Sequence, residues 1–188
     1  LTERVQSDAS PSLESMGPKG PPIIEDQEDL YELAETPAYP DDSEANGSSI
    51  VLLIEYRGRR ILLSGDAFAE DVIEGIAALG KVGPLRLDAF KLPHHCSQRN
   101  VVKELIAAVD CGCWLVSTDG TQFRHPDPVA LARIIRHGTE RPPMLAFNVR
   151  SKYSGWWSNQ NWRQLFGYRT KYGTAKTGLS LRWSTGDG

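Results

Sequence analysis

Between residues 61 and 137 the chain three times runs an apolar stretch into a short polar loop and then into a helical pattern. Ile61-Leu62-Leu63 leads into Ser64-Gly65-Asp66, after which Val72, Ile73, Ile76 and Leu79 recur at helical spacing up to Gly80. Residues 85–92 lead into Pro93-His94-His95-Cys96-Ser97, followed by an amphipathic run over 101–109. Residues 113–117 lead into a loop over 119–125 and then a helix over 127–137, with Asp127 as a suitable N-cap and Pro128 in its first turn. Strands that alternate with helices return in parallel, so the repeat predicts an α/β fold with polar loops at the carboxyl ends of the strands, where such sheets build sites.

A β-hairpin precedes these units. Ile50 to Ile54 is a continuous apolar run, Tyr56-Arg57-Gly58-Arg59-Arg60 turns near Gly58, and Ile61 to Leu63 returns. Unbroken apolar runs predict strands buried on both faces. Upstream, residues 1–47 are rich in Pro, Ser, Gly, Asp and Glu, which predicts an extended or partly disordered lead-in with one short helix around Asp29 to Ala34. Downstream, residues 144–149 read as a strand, an aromatic stretch carries Trp156, Trp157, Trp162, Phe166 and Tyr168, and residues 179–183 read as a closing strand.

Charge divides the chain. The first 49 residues hold 12 acidic and 2 basic side chains, and the remainder holds 12 acidic and 19 basic, so a net −3 conceals −10 against +7. A basic folded part suits a phosphate-rich partner and equally a plain Arg-rich surface. Cys96, Cys111 and Cys113 are an odd number of cysteines, read as reduced thiols; Cys111-Gly112-Cys113 reads as buried strand rather than a metal clip. No apolar run approaches the roughly 20 residues of a membrane helix, and no secretory leader pattern opens the chain, so a soluble, cytoplasmic protein with no membrane partner is expected. Leu at position 1 suggests a start inside a longer gene product.

Four loop residues carry the chemistry. Asp66, in a Gly-Asp loop at a strand end, is placed either to hold a cation or orient water, or to cap the next helix. Of neighbouring His94 and His95, one can ligate a given ion while the other faces substrate or supports the ligand. His125 begins a third such loop end before Pro126. Separately each has a plain structural reading. Together, an acid at one strand end and imidazoles at the next two converge on one sheet edge.

The segments Asn46-Gly-Ser-Ser-Ile-Val-Leu-Leu-Ile, Ile61-Leu-Leu-Ser-Gly-Asp66, Phe90-Lys-Leu-Pro-His94-His95-Cys-Ser and Arg124-His125-Pro126 resemble successive landmarks of metallo-β-lactamase-fold hydrolases. The likeness covers residues 46 to about 137 and is greatest to the hydrolase domain of bacterial DNA-uptake competence proteins. It implies an αββα sandwich with two divalent metal ions, zinc or manganese, at the shared edge of its sheets. By the same resemblance Asp66 bridges both ions, His95 closes the second metal site, His94 lies beside the substrate phosphate, and His125 lies near the leaving group or a phosphate oxygen. Ser97 and Arg99 are the corresponding candidates for substrate binding, Arg99 to offset negative charge on phosphate. In such a site two ions acidify a bridging water and neutralise charge on the attacked group.

Two departures qualify the likeness. Cys96 stands where the family has Gly, and the His-x-His-x-Asp-His motif that supplies most metal ligands occurs nowhere in the 188 residues. The resemblance therefore implies that residues 48–188 are the C-terminal half of such a domain, one sheet plus flanking helices, with the complementary N-terminal half supplied by a partner chain or a cleaved fragment. The expected function is a metal-dependent phosphodiesterase or nuclease acting on DNA or RNA once that half is present. The alternatives are a non-catalytic binding or scaffold module on the same sheet, or a hydrolase of a small ester, thioester or lactam. The inner sheet face is then expected to be apolar and to meet the other half over an interface of roughly 2,000 Å². The aromatic segment, interleaved with Arg150, Lys152, Arg163, Arg169 and Lys171, reads either as a base-stacking surface or as packing at the sandwich edge.

Overall fold

A computed structural model describes residues 16–138 and 142–183. In chain order the elements are α1 (Gln27–Ala34), α2 (Glu44–Gly47), β1 (Leu52–Tyr56), β2 (Arg59–Leu63), α3 (Ala69–Ala78), β3 (Leu85–Leu87), β4 (Ala89–Lys91), α4 (Lys103–Ala107), β5 (Val109–Cys111), β6 (Cys113–Val116), α5 (Pro128–His137), β7 (Met144–Phe147), α6 (Lys152–Gly155), α7 (Gln160–Leu165) and β8 (Arg169–Tyr172). Two single 3-10 turns, His94–Cys96 and Trp156–Ser158, complete the set. The protein is α/β. Six strands form one mixed sheet in the order β1-β2-β4-β6-β7-β8, antiparallel at β1–β2 and parallel elsewhere, and β3 and β5 form a separate parallel pair.

Residue alternation sorts the large sheet into two unlike faces. Leu53, Leu62, Phe90, Trp114, Val116, Leu145 and Phe147 share one face and enter the main core with Leu30 of α1, Val72 of α3, Leu105 and Ile106 of α4, and Leu131 and Ile134 of α5. Ile61, Ala89, Cys113, Leu115, Met144 and Ala146 share the other, where Leu179 and Leu181 are the apolar side chains packed on them. Among the described residues helices thus cover one face only, and an extended segment carrying Leu179 and Leu181 crosses part of the other. No helix among the described residues is long and apolar enough to cross a membrane.

Several local expectations change in the fold. β1 is not buried on both faces: Leu52 and Ile54 are 52% and 43% exposed, because β1 is an edge strand and its outward side chains lie on the helix-free face. The single strand expected over 85–92 breaks at Asp88, whose carboxylate accepts from the Arg59 guanidinium (2.7 Å) and the Arg60 backbone N–H (2.9 Å). Its two pieces enter different sheets. Gly112 makes the matching break in the next strand, and Cys111 and Cys113 are buried on either side of it. The 101–109 helix shortens to α4, and residues 179–183 extend without joining a ladder.

The lead-in is built into the body from residue 16. α1 is capped by Asp26, whose side chain accepts from the N–H groups of Glu28 and Asp29, and buries Leu30 and Ala34 against α5. The Arg133 guanidinium, 6% exposed, donates to Ala34 O (3.1 Å), Thr36 O (2.6 Å), Gln98 O (2.8 Å) and Val101 O (2.9 Å), tying the lead-in to two other segments. Ile23 and Ile24 divide: Ile24 is buried and Ile23 is exposed.

Candidate functional site

The loops after β2 and β4 are stapled side by side. Ser64 Oγ donates to Lys91 O at 2.6 Å, and His94 N donates to Gly65 O at 3.2 Å. Gly65 adopts φ +56° where a side chain would press on Ser49, and the next N–H, that of Asp66, donates to Ser49 Oγ at 3.2 Å. Asp66 Oδ1 and His95 Nε2 consequently lie 3.9 Å apart, with side chains 38% and 42% exposed.

The orientation of the His95 ring follows from its other nitrogen. Nδ1 lies 2.6 Å from Ser117 O, and a carbonyl can only accept, so Nδ1 carries a proton and Nε2 is the ring nitrogen nearer Asp66. With Nδ1 engaged by the carbonyl, Nε2 is left to meet the Asp66 carboxylate through a proton or a bound cation. A carboxylate and an imidazole held by a carbonyl behind it, with access from solvent, are two donors of the kind a divalent metal takes. Lys91 Nζ donates to Gly65 O (2.6 Å) and stands 3.7 Å from Asp66 Oδ1. Burial pulls its ammonium below the ordinary lysine pKa, against the opposing pull of Asp66. Asp119 follows β6 in the next loop; the Thr121 N–H and hydroxyl, with a smaller contribution from His95, hold its carboxyl below the usual range. Among the described residues no group of three or more His, Cys, Asp or Glu is arranged to hold a metal ion.

The backbone that aims His95 outward is unusual. His94, His95 and Cys96 have φ of 42°, 55° and 70°, three successive side-chain-bearing residues in the left-handed region. Each position costs about 1–2 kcal/mol for an L residue, so the surroundings must enforce the turn. They do so from beneath. His94 is buried, and its Nδ1 lies 3.0 Å from Asp41 Oδ2, 3.1 Å from Asn100 Oδ1 and 3.2 Å from Asn46 Nδ2. The same Asp41 oxygen accepts from Asn46 (2.7 Å) and Asn100 (2.9 Å). His125 lies next to this layer, its ring centroid 5.6 Å from that of His94 and its Nδ1 3.2 Å from Asp127 Oδ1. Asp127 also accepts from Gln98 N–H, and its own N–H donates to Cys96 O, closing the loop on itself.

The structure therefore sorts the sequence-derived candidates into two layers. Asp66 and His95 meet at the open edge; His94 and His125 stand behind them in a buried polar layer. Ser97 is buried, its Oγ accepting from Arg99 N–H. Arg99 does not reach the open edge: its guanidinium donates to Tyr39 O, Pro40 O and Asp42, strapping the lead-in over the His-His loop. Cys96 is fully buried, and burial, reinforced by Asp127, holds its thiol well above the ordinary range. Asp41, Asn100 and Asp119 are site residues that carry no signal of their own in the sequence, and Asn46 stands out there only as the first residue of a resembling segment. Asp41 is one of 12 acids in a stretch that reads as solvated. Lys91 had a legible sign, since a Lys inside an apolar strand two residues before the loop is an unusual core residue.

Comparison of the chain with protein-family models, with curated proteins and with solved structures finds no match to any of them.

Proposed function

We propose that this chain contributes Asp66 and His95 to a dinuclear metal-dependent phosphodiesterase of the metallo-β-lactamase type, whose other ligands come from a complementary half bearing the His-x-His-x-Asp-His motif. The observation that carries the reading is the Asp66–His95 pair, 3.9 Å apart at the ends of adjacent parallel strands, with His95 Nδ1 held by Ser117 O and Nε2 left nearer the carboxylate. When bound, two zinc or manganese ions would supply an acidified water and charge neutralisation. The chain's own residues do the rest. Ser117 O holds the His95 ring through Nδ1, Gly65 O and Asp66 hold the Lys91 ammonium at the site, and the buried His94 and His125 layer keeps the loop in its left-handed turn.

The helix-free sheet face supports the need for a second half. Ile50, Leu52, Ile54 and Tyr56 are exposed along its edge, and a recess of about 350 Å³ opens beside Lys91 and Ser117, walled by Leu63, Leu115, Leu179, Leu181 and Trp183. Contiguous apolar surface of this kind marks an interaction site. A nucleic-acid substrate agrees with the +7 charge of residues 50–188.

Native mass spectrometry and metal analysis of the protein isolated with its associated chains test the proposal. The expected result is a companion carrying the missing motif and two ions per complex, with metal lost in Asp66→Ala and His95→Ala and reduced less in His94→Ala, which loosens the loop but removes no ligand. Metal content and oligonucleotide hydrolysis unchanged by both Asp66→Ala and His95→Ala would overturn it.

A further inference from the structure

Residues 142–183 contain seven basic side chains and no Asp or Glu. This acid-free stretch accounts for the whole positive excess of the folded part, and the fold lays it against the candidate site. Three contacts fix the placement. His95 is held by Ser117 O at the end of β6. One residue further, Thr118 N–H donates to Asn148 Oδ1 in the loop after β7 (2.9 Å). The Tyr153 ring lies against Gly120, where any side chain would collide with it. The segment bearing Arg150, Lys152 and Tyr153 is therefore locked onto the loop beside His95, on the edge that carries Asp66. β4 and β7 are two ladder spacings apart, about 10 Å.

The basic groups are presented outward. Arg150 is exposed in the β7–α6 connection and Lys152 is exposed at the start of α6. The Arg150 guanidinium is pre-positioned, one N–H on Ser158 Oγ (2.7 Å) and its carbon 5.0 Å from the Tyr172 ring centroid. Arg169 and Lys171 are exposed on the edge strand β8, on the helix-free face by their pairing with Met144 and Ala146 but at the opposite edge from β1 and its exposed apolar side chains. Aromatic surface accompanies them: Tyr153 and Trp156 are half-buried and meet edge to face at 5.3 Å, with the Lys152 ammonium 5.7 Å from the Tyr153 ring. Trp157 and Tyr168, by contrast, are buried and pack the sheet edge, so the stacking capacity of the segment lies in Tyr153 and Trp156.

We infer that Arg150, Lys152, Arg169 and Lys171, with Tyr153 and Trp156, form a track for a single-stranded polynucleotide leading to the Asp66–His95 edge. Phosphates pair with the basic groups and bases stack on the half-buried rings. The other arginine-rich cleft, lined by Arg59, Arg60 and Arg86 at the far ends of the strands, has Arg59 paired with Asp88 and Arg60 with Glu55, which leaves it a net charge of only +1. The inference deepens the phosphodiesterase reading by naming where its substrate strand lies, yet it concerns binding and requires no metal.

Fluorescence anisotropy of the full chain with a labelled oligodeoxythymidylate, titrated with salt in the presence of a chelator, tests it. Arg150→Ala/Lys152→Ala should lower the slope of log affinity against log salt by about 1.4, and affinity at about 0.1 M salt by roughly 25-fold, if each side chain neutralises one phosphate. Arg169→Ala/Lys171→Ala, on exposed strand positions that leave the fold intact, should act in the same direction. Arg57→Ala/Arg86→Ala, a charge-matched change at the far edge, should leave binding close to wild type. Equal losses in all three variants would reduce the effect to net charge and overturn the track. Capture of anionic phospholipid vesicles through the same four residues, with no preference for the oligonucleotide, would also overturn it. Intact, residue-specific oligonucleotide binding without hydrolysis in the assembled complex would sink the phosphodiesterase reading and leave the track standing.

Discussion

Truncating Asp41 to alanine is the sharpest probe of how the His-His loop is held. Asp41 Oδ2 accepts from Asn46 Nδ2 (2.7 Å), Asn100 Nδ2 (2.9 Å) and His94 Nδ1 (3.0 Å), and Oδ1 accepts from Ser43 N–H (3.2 Å). In Asp41→Ala, Ser43 N–H can turn to water, and His94 Nδ1 can turn to Asn100 Oδ1, already 3.1 Å away. Asn100 keeps one bond, to Ala67 O at 3.1 Å. One N–H of Asn46 and one of Asn100 remain buried without a partner, at about 1–3 kcal/mol each. With partial relief by water in the vacated space, the expected loss is roughly 2–4 kcal/mol, a large share of the 5–15 kcal/mol that holds an ordinary domain together. Urea unfolding followed by fluorescence of the five tryptophans measures it. Asp41→Asn, which keeps the volume and one acceptor, should lose less. Burial raises the Asp41 pKa, but the hydrogen bonds from Asn100, Asn46 and Ser43, with the His94 contact, outweigh it and leave the folded value below the reference of 3.8. A depressed folded value contributes stability that is present above the unfolded pKa and is lost as pH falls through the folded one. That part of the acid sensitivity should vanish in Asp41→Asn. A loss under about 1 kcal/mol in Asp41→Ala would refute the reasoning, because it would mean that buried donors of this layer need no acceptor.

Arg133→Met removes the donor to four carbonyls and should cost roughly 3–5 kcal/mol, with faster amide hydrogen exchange in Leu30 to Ala34 as the local sign that the lead-in has come loose. At Cys96, φ +70° and full burial oppose each other: Cys96→Gly relieves the backbone and loses a side chain, for a net change within about 1 kcal/mol, whereas Cys96→Val should cost more, since β-branched residues resist this region most. Calorimetric melting of the two variants decides the order. Leu52→Glu/Ile54→Glu, on the exposed side of β1, should change the chain's own stability by no more than about 0.5 kcal/mol per site, lower its binding of an apolar dye, and abolish association with the complementary half in sedimentation experiments.

The local grammar of the fold was legible in the sequence because it depends on neighbours within a few residues. Helical spacing at Val72, Ile73 and Ile76 produced α3, Pro128 after Asp127 started α5, and Gly58 and Gly80, with φ of +72° and +65°, turned the hairpin and ended a helix. The apolar runs marked where strands end, and so put Asp66 and His95 at one edge. Everything that joins distant segments had to wait for the tertiary structure. Asp88 splits a continuous apolar run only because Arg59 and Arg60, 29 and 28 residues earlier, deliver donors to it. Which histidine faces outward is decided by a left-handed turn, and that turn is held by Asp41, 53 residues away in a stretch whose composition reads as solvated. Covering one sheet face with helices while a short extended segment crosses the other is likewise invisible to periodicity, because an apolar residue looks the same in sequence whether its face is buried within the chain or left open.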